Sequence, residues 1–319
     1  MKFNQCLLAL LMFGSMMFTM TSCGDDDPVV TTPEEMTIAE IVQGNDDFSS
    51  LLAALEKTQL TSVLDGTDEY TVFAPQNDAF AAFLSSNGFA NLDAVPTAVL
   101  TQVLLNHVVA GDVKAADLST GYITNLASEA STSNNLNAYV NTDGGVTING
   151  GASVTTADVN ASNGTVHIVD SVIGLPTVVT FAVTNPDLSI LVQALTRPSF
   201  GSTYTDILSG DGPFTVFAPN NDAFVKLLGF LGVSGLDDVD DATLQNVLNY
   251  HVLAGANVLA GTLTDELSAE TFQGQNITID LDNGAQIKEG AGEPSNIIAT
   301  DIQSANGVVH VIDTVLLPQ

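Results

Sequence analysis

Cysteine, tryptophan and basic residues are scarce or missing in this chain. Its 319 residues include two cysteines, no tryptophan and only six lysines and arginines. Cys6 lies in an apolar N-terminal stretch, so the rest of the chain keeps only Cys23 and has no partner for an internal disulfide. Against the few cations stand 37 Asp and Glu residues, which give a net charge of −31 at pH 7. A surface this negative repels phosphate backbones, which argues against nucleic acid as a partner.

Long apolar runs are also missing, apart from a short one at the N-terminus. Residues 7–20 are mostly apolar, follow Lys2 and are too few for a stable membrane span, so they predict a secretory signal over residues 1–22. Cys23 follows small residues at the end of this run. The arrangement resembles the bacterial lipoprotein signal, in which the thiol is acylated and becomes the new N-terminus. A chance cysteine in a signal that is cleaved elsewhere is the alternative.

Residues 23–36 predict an extended acidic tether. Gly24 and three aspartates follow Cys23, and Pro28 and Pro33 oppose helix formation. The acidic start resembles the tag behind the lipidated cysteine of surface-exposed lipoproteins in the Bacteroidetes, and a solvated spacer is the alternative. These features predict an outer-membrane, lipid-anchored and surface-exposed protein whose only attachment to the membrane is its lipid.

The rest of the chain contains one pattern twice. Three segments occur in both halves in the same order: YTVFAPQNDAF at 70–80 and FTVFAPNNDAF at 214–224, LLNHVVAG at 104–111 and LNYHVLAG at 248–255, and NGTVHIVD at 163–170 and NGVVHVID at 306–313. The first pair is identical at nine of eleven positions, at an offset of 144 residues. The chain therefore predicts two copies of one domain, at residues 37–176 and 177–319, with almost no linker between them.

The periodicity inside each copy predicts helices early and strands late. In the first copy, apolar spacing over residues 48–55 predicts an amphipathic helix that packs inward. Residues 71–74 predict a short strand, and Asn77 and Asp78 are placed to cap the helix that follows. Alternating apolar residues and turn signals then predict several strands, so the fold class is α+β.

A third helix in each copy is predicted to carry a histidine. The pattern places its N-cap at Thr97 in the first copy and at Asp241 in the second, and stops it at Gly111 and at Gly255. His107 comes four residues after a buried valine, which places it on the apolar stripe of this helix.

The three repeated segments resemble the landmarks of the fasciclin domain family, TVFAPxNDAF, a helix ending in HVxAG, and a terminal NGxVH. The resemblance covers essentially all of residues 37–176 and 177–319. It implies a twisted β-wedge or sandwich flanked by several helices in each copy. It also implies a general role in extracellular adhesion and in matrix or surface attachment, with no enzyme activity.

One position of the family motif differs between the copies. The second copy has the family's tyrosine-histidine pair as Tyr250 and His251, whereas the first copy has Asn106 and His107. The segment is linked to integrin binding in some animal members of the family. The resemblance therefore assigns these four residues a structural role with an adhesion role in some members, and the departure at Asn106 argues against that second role in the first copy.

The histidines are the strongest candidates for chemistry. All four stand at equivalent positions in the two copies: His107, His167, His251 and His310. A metal site is one hypothesis, because imidazole is a common ligand. However, no cysteine, HExxH motif or local carboxylate-histidine spacing completes a ligand set. We expect buried histidines that bond to backbone groups, and we predict no metal, no cofactor and no catalytic residue.

One acidic segment has a faint resemblance to a calcium loop. Asp280, Asp282 and Asn283 have suitable spacing, but the glutamate expected downstream is absent and an Asn-Gly hairpin turn accounts for the segment.

The sequence thus predicts a non-enzymatic, lipid-anchored adhesion protein that binds an extracellular glycan or protein. A structural or accessory component of an envelope or polysaccharide-handling complex is the alternative, and a hydrolase is a more distant one. The ligand, the domain that binds it and the oligomeric state do not follow from the sequence.

Overall fold

The computed structural model describes residues 35–282, 284–289 and 294–319. The predicted signal, Cys23, most of the predicted tether and Asn283 lie outside the described residues. Residues 35–319 form one compact unit.

The helices of the described residues come in two matching sets. They are α1 Ile38–Gln43, α2 Ser49–Thr58, α3 Thr61–Leu64, α4 Asn77–Ser86 and α5 Thr97–Leu105, then α6 Val178–Thr184, α7 Ser189–Leu195, α8 Thr203–Ser209, α9 Asn221–Leu231 and α10 Asp241–Tyr250. No single helix in this part of the chain is long and apolar enough to cross a membrane. Only a pair bent by 98°, Val178–Thr184 with Pro186–Leu195, has the required length and composition when taken together.

The strands form one seven-stranded sheet in each copy. They are β1 Tyr70–Pro75, β2 Val108–Ala110, β3 Gly121–Ser128, β4 Asn135–Asn141, β5 Thr147–Ile148, β6 Ala152–Ala161 and β7 Gly164–Val169, then β8 Phe214–Pro219, β9 Val252–Ala254, β10 Ser268–Glu270, β11 Asn276–Asp280, β12 Gln286–Lys288, β13 Ser295–Ser304 and β14 Gly307–Ile312. The order is β2-β1-β7-β6-β5-β4-β3 in the first sheet and β10-β11-β12-β13-β14-β8-β9 in the second. The α+β architecture of two tandem domains is therefore confirmed.

The repeated Asn-Gly pair explains how each sheet brings its first and last strands together. β1 and β7 pair in parallel, with Tyr70 opposite Gly164. A Cβ atom at Gly164 would lie 1.9 Å from the carbonyl oxygen of Tyr70, and the φ angle of +136° is also unfavourable for other residues. Gly307 stands in the same relation to Phe214. Only glycine permits this close approach.

The asparagine of the same pair ties the helices to the sheet. Asn163 accepts a hydrogen bond from the backbone N–H of Ile38 at 2.9 Å and donates to the carbonyls of Leu64 and Gly66 at 2.8 and 2.9 Å. Asn306 makes the equivalent bonds in the second copy. One side chain thus fixes the start of the first helix and the end of the third in each domain.

The prediction that Asn77 caps its own helix is wrong. The N-cap of α4 is Gln76, and the side chain of Asn77 instead accepts from the backbone N–H of Ser50 at 2.8 Å, at the start of α2. In the second copy Asn221 accepts in the same way from Ile190, at the start of α7. This asparagine therefore caps a neighbouring helix and joins two helices through a long-range contact.

The histidine-bearing helices are shorter than predicted. The predicted caps Thr97 and Asp241 are wrong by one residue, because the N-caps are Pro96 and Asp240. α5 ends at Leu105 and α10 at Tyr250, so neither reaches its glycine. Between the helix and the glycine each copy forms a short strand. β2 pairs antiparallel with β1 in the first copy, and β9 pairs antiparallel with β8 in the second. As a result, His251 caps its helix and His107 lies just beyond the helix end.

The two copies share an apolar contact. Tyr139 on β4 of the first copy belongs to the buried core of the second. Tyr122 packs edge-on against Tyr139 and Phe181, with ring centres 5.1 and 5.4 Å apart, and its hydroxyl accepts a hydrogen bond from Asn185. Burial raises the pKa of Tyr122 to about 12. β7 of the first copy ends at residue 169 and α6 of the second begins at residue 178, so a short segment connects the two.

Candidate functional site

The two motif histidines join a helix end to the C-terminal segment of their domain. The Nδ1 of His107 donates to the carbonyl of Val103 at 2.7 Å, and its Nε2 accepts from the backbone N–H of Ile173 at 2.8 Å. His251 donates to Val247 at 2.7 Å and accepts from Leu316 at 2.9 Å. Both ring nitrogens are thus bonded to backbone groups, as predicted for buried histidines.

Burial keeps these two imidazoles neutral. Their exposed fractions are 2% for His107 and 3% for His251. Desolvation lowers the pKa of each to about 4, although the bond to the helix carbonyl opposes the shift. A neutral ring that donates from one nitrogen and accepts at the other has no lone pair left for a metal ion.

The other two histidines support a bulge in the longest strand of each sheet. His167 on β7 donates from Nε2 to the carbonyl of Val113 at 3.0 Å, and its Nδ1 accepts from the backbone N–H of Asp158 at 3.2 Å. Asp158 lies at an irregular register on β6 and has a φ angle of +60°. His310 bonds Val258 and Asp301 in the same way. Burial lowers the pKa of both rings.

The residues that precede the motif histidines differ in type but share a role. Asn106 donates to the carbonyls of Ile173 and Gly174 at 3.1 and 3.0 Å and accepts from Asn125 at 2.7 Å. Tyr250 donates through its hydroxyl to the carbonyl of Asn276 at 2.9 Å. Both are buried, with exposed fractions of 2% and 1%. The structure therefore places all four motif residues in the interior, where they hold the sheet and the C-terminal segment to the helix.

One group of acidic side chains is close enough to hold a metal ion among the described residues. It consists of Asp265, Asp280 and Asp282. The ammonium of Lys288 lies 2.6 Å from Asp280 Oδ2 and holds the pKa of that carboxyl below its usual range. Asp265 and Asp280 also accept backbone hydrogen bonds. This cluster therefore has its own cation and backbone donors, and we assign it no ligand.

The first copy has a surface groove that its sequence did not predict. The groove has a volume of about 610 Å³ and lies between α4, α5 and residues 171–175. Its walls include Phe83, Phe89, Val103 and Val172. A groove of this size can hold a side chain or a short segment of a partner.

All the basic side chains in the described part of the chain are already engaged. They bond to carbonyls or carboxylates of their own domain: Lys57, Lys114, Arg197, Lys226 and Lys288. Lys57 and Arg197 stand at related places in the two copies, and each bonds carbonyls in the turn before the last helix of its copy, α5 or α10. The described part of the chain is therefore strongly acidic, and its few cationic side chains are bonded within their own domains.

Comparison with known families identifies both halves of the chain. The Fasciclin domain family matches residues 46–176 and again residues 186–318. The chain belongs to the fasciclin domain family and carries two such domains in tandem. Fasciclin domains are linked to cell adhesion and extracellular binding.

Individual relatives match one or both copies. Protein sll1483 of Synechocystis is 40% identical over 142 residues, which cover 44% of this chain and 75% of that protein. The ig-h3 protein induced by transforming growth factor-beta in Sus scrofa is 30% identical over 82% of this chain, and human periostin is 29% identical over 82%. The matched regions span 36% of ig-h3 and 30% of periostin, so those two proteins are much longer than the part that they share with this chain.

The chain also aligns with a solved structure. It is the FAS1 domain pair from the insect cell adhesion molecule Fasciclin I, which aligns over 84% of this chain and 97% of its own, at 21% sequence identity and a TM-score of 0.49.

Proposed function

We propose that the protein is a non-enzymatic adhesion protein of the cell surface that binds an extracellular glycan or protein. The observation that carries the proposal is that both copies match the fasciclin domain, while their histidines are buried and bonded to their own backbone. In this arrangement the four motif residues Asn106, His107, Tyr250 and His251 maintain the fold, and a ligand would bind to the outer surface.

A binding array tests this function. The chain that begins after Cys23 would be applied to glycans and to extracellular matrix proteins, and a ligand-selective signal is the expected result. Co-purification with envelope components, without any such signal, would instead favour a structural or accessory role. Turnover of a polysaccharide or ester substrate that is lost on a single substitution would contradict the non-enzymatic proposal.

We also propose that a lipid on Cys23 holds the protein at the outer membrane, with the two domains facing outward. The apolar run and the cysteine that follows it support this. Cys23→Ser should release the protein from the membrane fraction or block its processing. Unchanged fractionation and gel mobility of the variant would refute lipidation, and protease accessibility on whole cells separates an outward from a periplasmic orientation.

The domain division at residues 37–176 and 177–319 belongs to the same proposal. Each range contains its own helices, sheet and repeated motifs. The shared core at Tyr139 predicts that the two domains act as one stiff unit, rather than as independent modules.

A further inference from the structure

We propose that the groove on the first copy binds a lysine or arginine side chain of a partner protein. The aliphatic stem would lie across Ala82, and the charged end would bond to the backbone carbonyl of Asp170. This proposal rests on the proposed binding function and specifies one surface and one partner chemistry for it.

The second copy shows how a basic side chain fills the equivalent place. Lys226 on α9 stands at the position of Ala82, and its ammonium donates to the carbonyl of Asp313 at 2.9 Å. Asp313 corresponds to Asp170 at the end of the last strand. The second copy thus carries its own lysine from helix to carbonyl, whereas the first copy has the same helix and the same strand end without the lysine.

A second substitution widens the groove in the first copy. Gly174 stands at the position of Leu317, and Leu317 packs against the core of the second copy. Both Ala82 and Gly174 line the groove. No atom lies within 4 Å of the place that a Cβ atom of Gly174 would occupy. Two small residues therefore leave the groove open where the second copy has a lysine and a leucine.

The polar end of the groove suits a cation. Asp170 directly precedes Ser171 of the groove lining, and its carbonyl has no hydrogen-bond donor among the described residues. Its carboxylate is exposed and accepts one hydrogen bond, from the backbone N–H of Ser153 at 2.8 Å. Asp78 is also exposed and lies one helical turn before Ala82, on the same face of α4. Asp78 and Asp170 are the chain neighbours of the lining residues Ala79 and Ser171. An open carbonyl and exposed carboxylates beside an apolar groove match the ammonium and the methylene stem of a lysine, or the longer fork of an arginine.

The charge of the whole chain supports the same partner. The basic side chains of the described residues are bonded within their own domains, so none of them supplies the missing cation. A net charge of −31 attracts basic partners and repels a second copy of the chain. The apolar walls then favour a side chain with a hydrocarbon stem over a free metal ion.

The test uses short labelled peptides and variants that copy the second domain into the first. The peptides carry one lysine or one arginine between leucines, with Gly-Ser flanks, and each is paired with a peptide that has norleucine in place of the basic residue. Binding to the mature chain is measured by fluorescence polarisation. We expect at least one basic peptide to bind at least tenfold more tightly than its norleucine partner, and to bind more weakly as salt is added.

Variants locate the binding site. Ala82→Lys and Gly174→Leu should each reduce the affinity of the basic peptide at least tenfold, because they supply the side chains that occupy this place in the second copy. Ala81→Lys is the matched control, since it adds the same charge on the same helix at an exposed position outside the groove lining, and it should change the affinity less than twofold. Circular dichroism verifies that each variant is folded.

Several results would overturn the proposal. The first is equal affinity for the basic and the norleucine peptides across the whole set. The second is an affinity for the basic peptide that Ala82→Lys leaves unchanged. The third is a loss of affinity in Ala81→Lys as large as the loss in Ala82→Lys. The groove and the general function can fail separately. A ligand found on the array, together with equal binding of basic and norleucine peptides, refutes the groove proposal and supports the general binding function. Selective peptide binding with no array ligand supports the groove and counts against the glycan or matrix ligand.

Discussion

Replacing His251 with alanine should destabilise the second domain by about 3–5 kcal/mol. The ring bonds the carbonyl of Val247 and the backbone N–H of Leu316, and both groups lose their partner in His251→Ala. An unsatisfied buried polar group costs about 1–3 kcal/mol, and the void left by a buried ring adds to this. Some relaxation of the C-terminal segment reduces the sum, which gives the range stated above.

The same histidine predicts a specific response to acid. Its pKa is about 4 in the folded chain and near 6.5 when unfolded. The unfolded state therefore binds more protons between these values, so folding stability is complete above pH 6.5 and falls as the pH drops towards 4. The full shift corresponds to about 3 kcal/mol for a fully buried group. His251→Ala should abolish this part of the acid sensitivity as well as lowering the stability at pH 7.

The assay is urea unfolding followed by far-ultraviolet circular dichroism at pH 7 and at pH 5, with and without a chelator. Asn246→Ala on the same helix is the control, because Asn246 is exposed and its replacement should change stability by no more than about 0.5 kcal/mol. His107→Ala should repeat the effect in the first domain. A loss below about 1 kcal/mol, or a lower midpoint of the unmodified protein with chelator alone, would refute the structural role and reopen the metal hypothesis.

The remaining predictions concern a carboxyl group, a helix cap and the domain junction. Burial raises the pKa of Glu289 to about 7, so the folded state holds its proton in a range where the unfolded state has lost it. Stability should therefore fall as the pH rises from about 4.5 to 7, and Glu289→Gln should flatten that slope in urea unfolding. Asn221→Ala should cost about 1–2 kcal/mol through the lost cap of α7, and Asn77→Ala should cost the same through α2. Small-angle scattering should give a single narrow inter-domain distance, and a broad distribution would refute the stiff pair.

Local patterns predicted those parts of the fold that depend on neighbouring residues. The apolar spacing of residues 48–55 and the β-branched run at residues 71–74 gave the correct helix and strand. The cap at Asn77 was wrong because its hydrogen-bond partner lies 27 residues away, and short-range sequence rules do not include such contacts. The short strand β2 escaped prediction because its three residues continue the apolar helical pattern and form a strand only through pairing with β1.

The site required the structure for a similar reason. The sequence predicts that the two histidines of each copy bond backbone groups. However, each of the four histidines makes one bond to a group 52 to 66 residues away, such as the bond between His107 and Ile173. The groove depends on Ala82 and Gly174, which are far apart in the chain and meet only in the fold. Neither residue indicates a groove by itself. The comparison with Lys226 and Leu317 shows that both positions carry larger side chains in the second copy.

The duplication divides the residues of this chain into two kinds. Some residues are the same in both copies and hold the backbone of their own domain through bonds at matching positions. They include the asparagine-glycine pairs at 163–164 and 306–307 and the buried histidines. Ala82 and Lys226 differ although the helix and the strand end around them are the same. The fold accommodates either alanine or lysine at this position, so the difference between Ala82 and Lys226 changes the surface of the domain rather than its fold. In the first domain the carbonyl of Asp170 stays open to a cation, whereas in the second domain Lys226 already bonds the equivalent carbonyl of Asp313. A ligand that binds through this carbonyl would therefore bind to only one of the two copies.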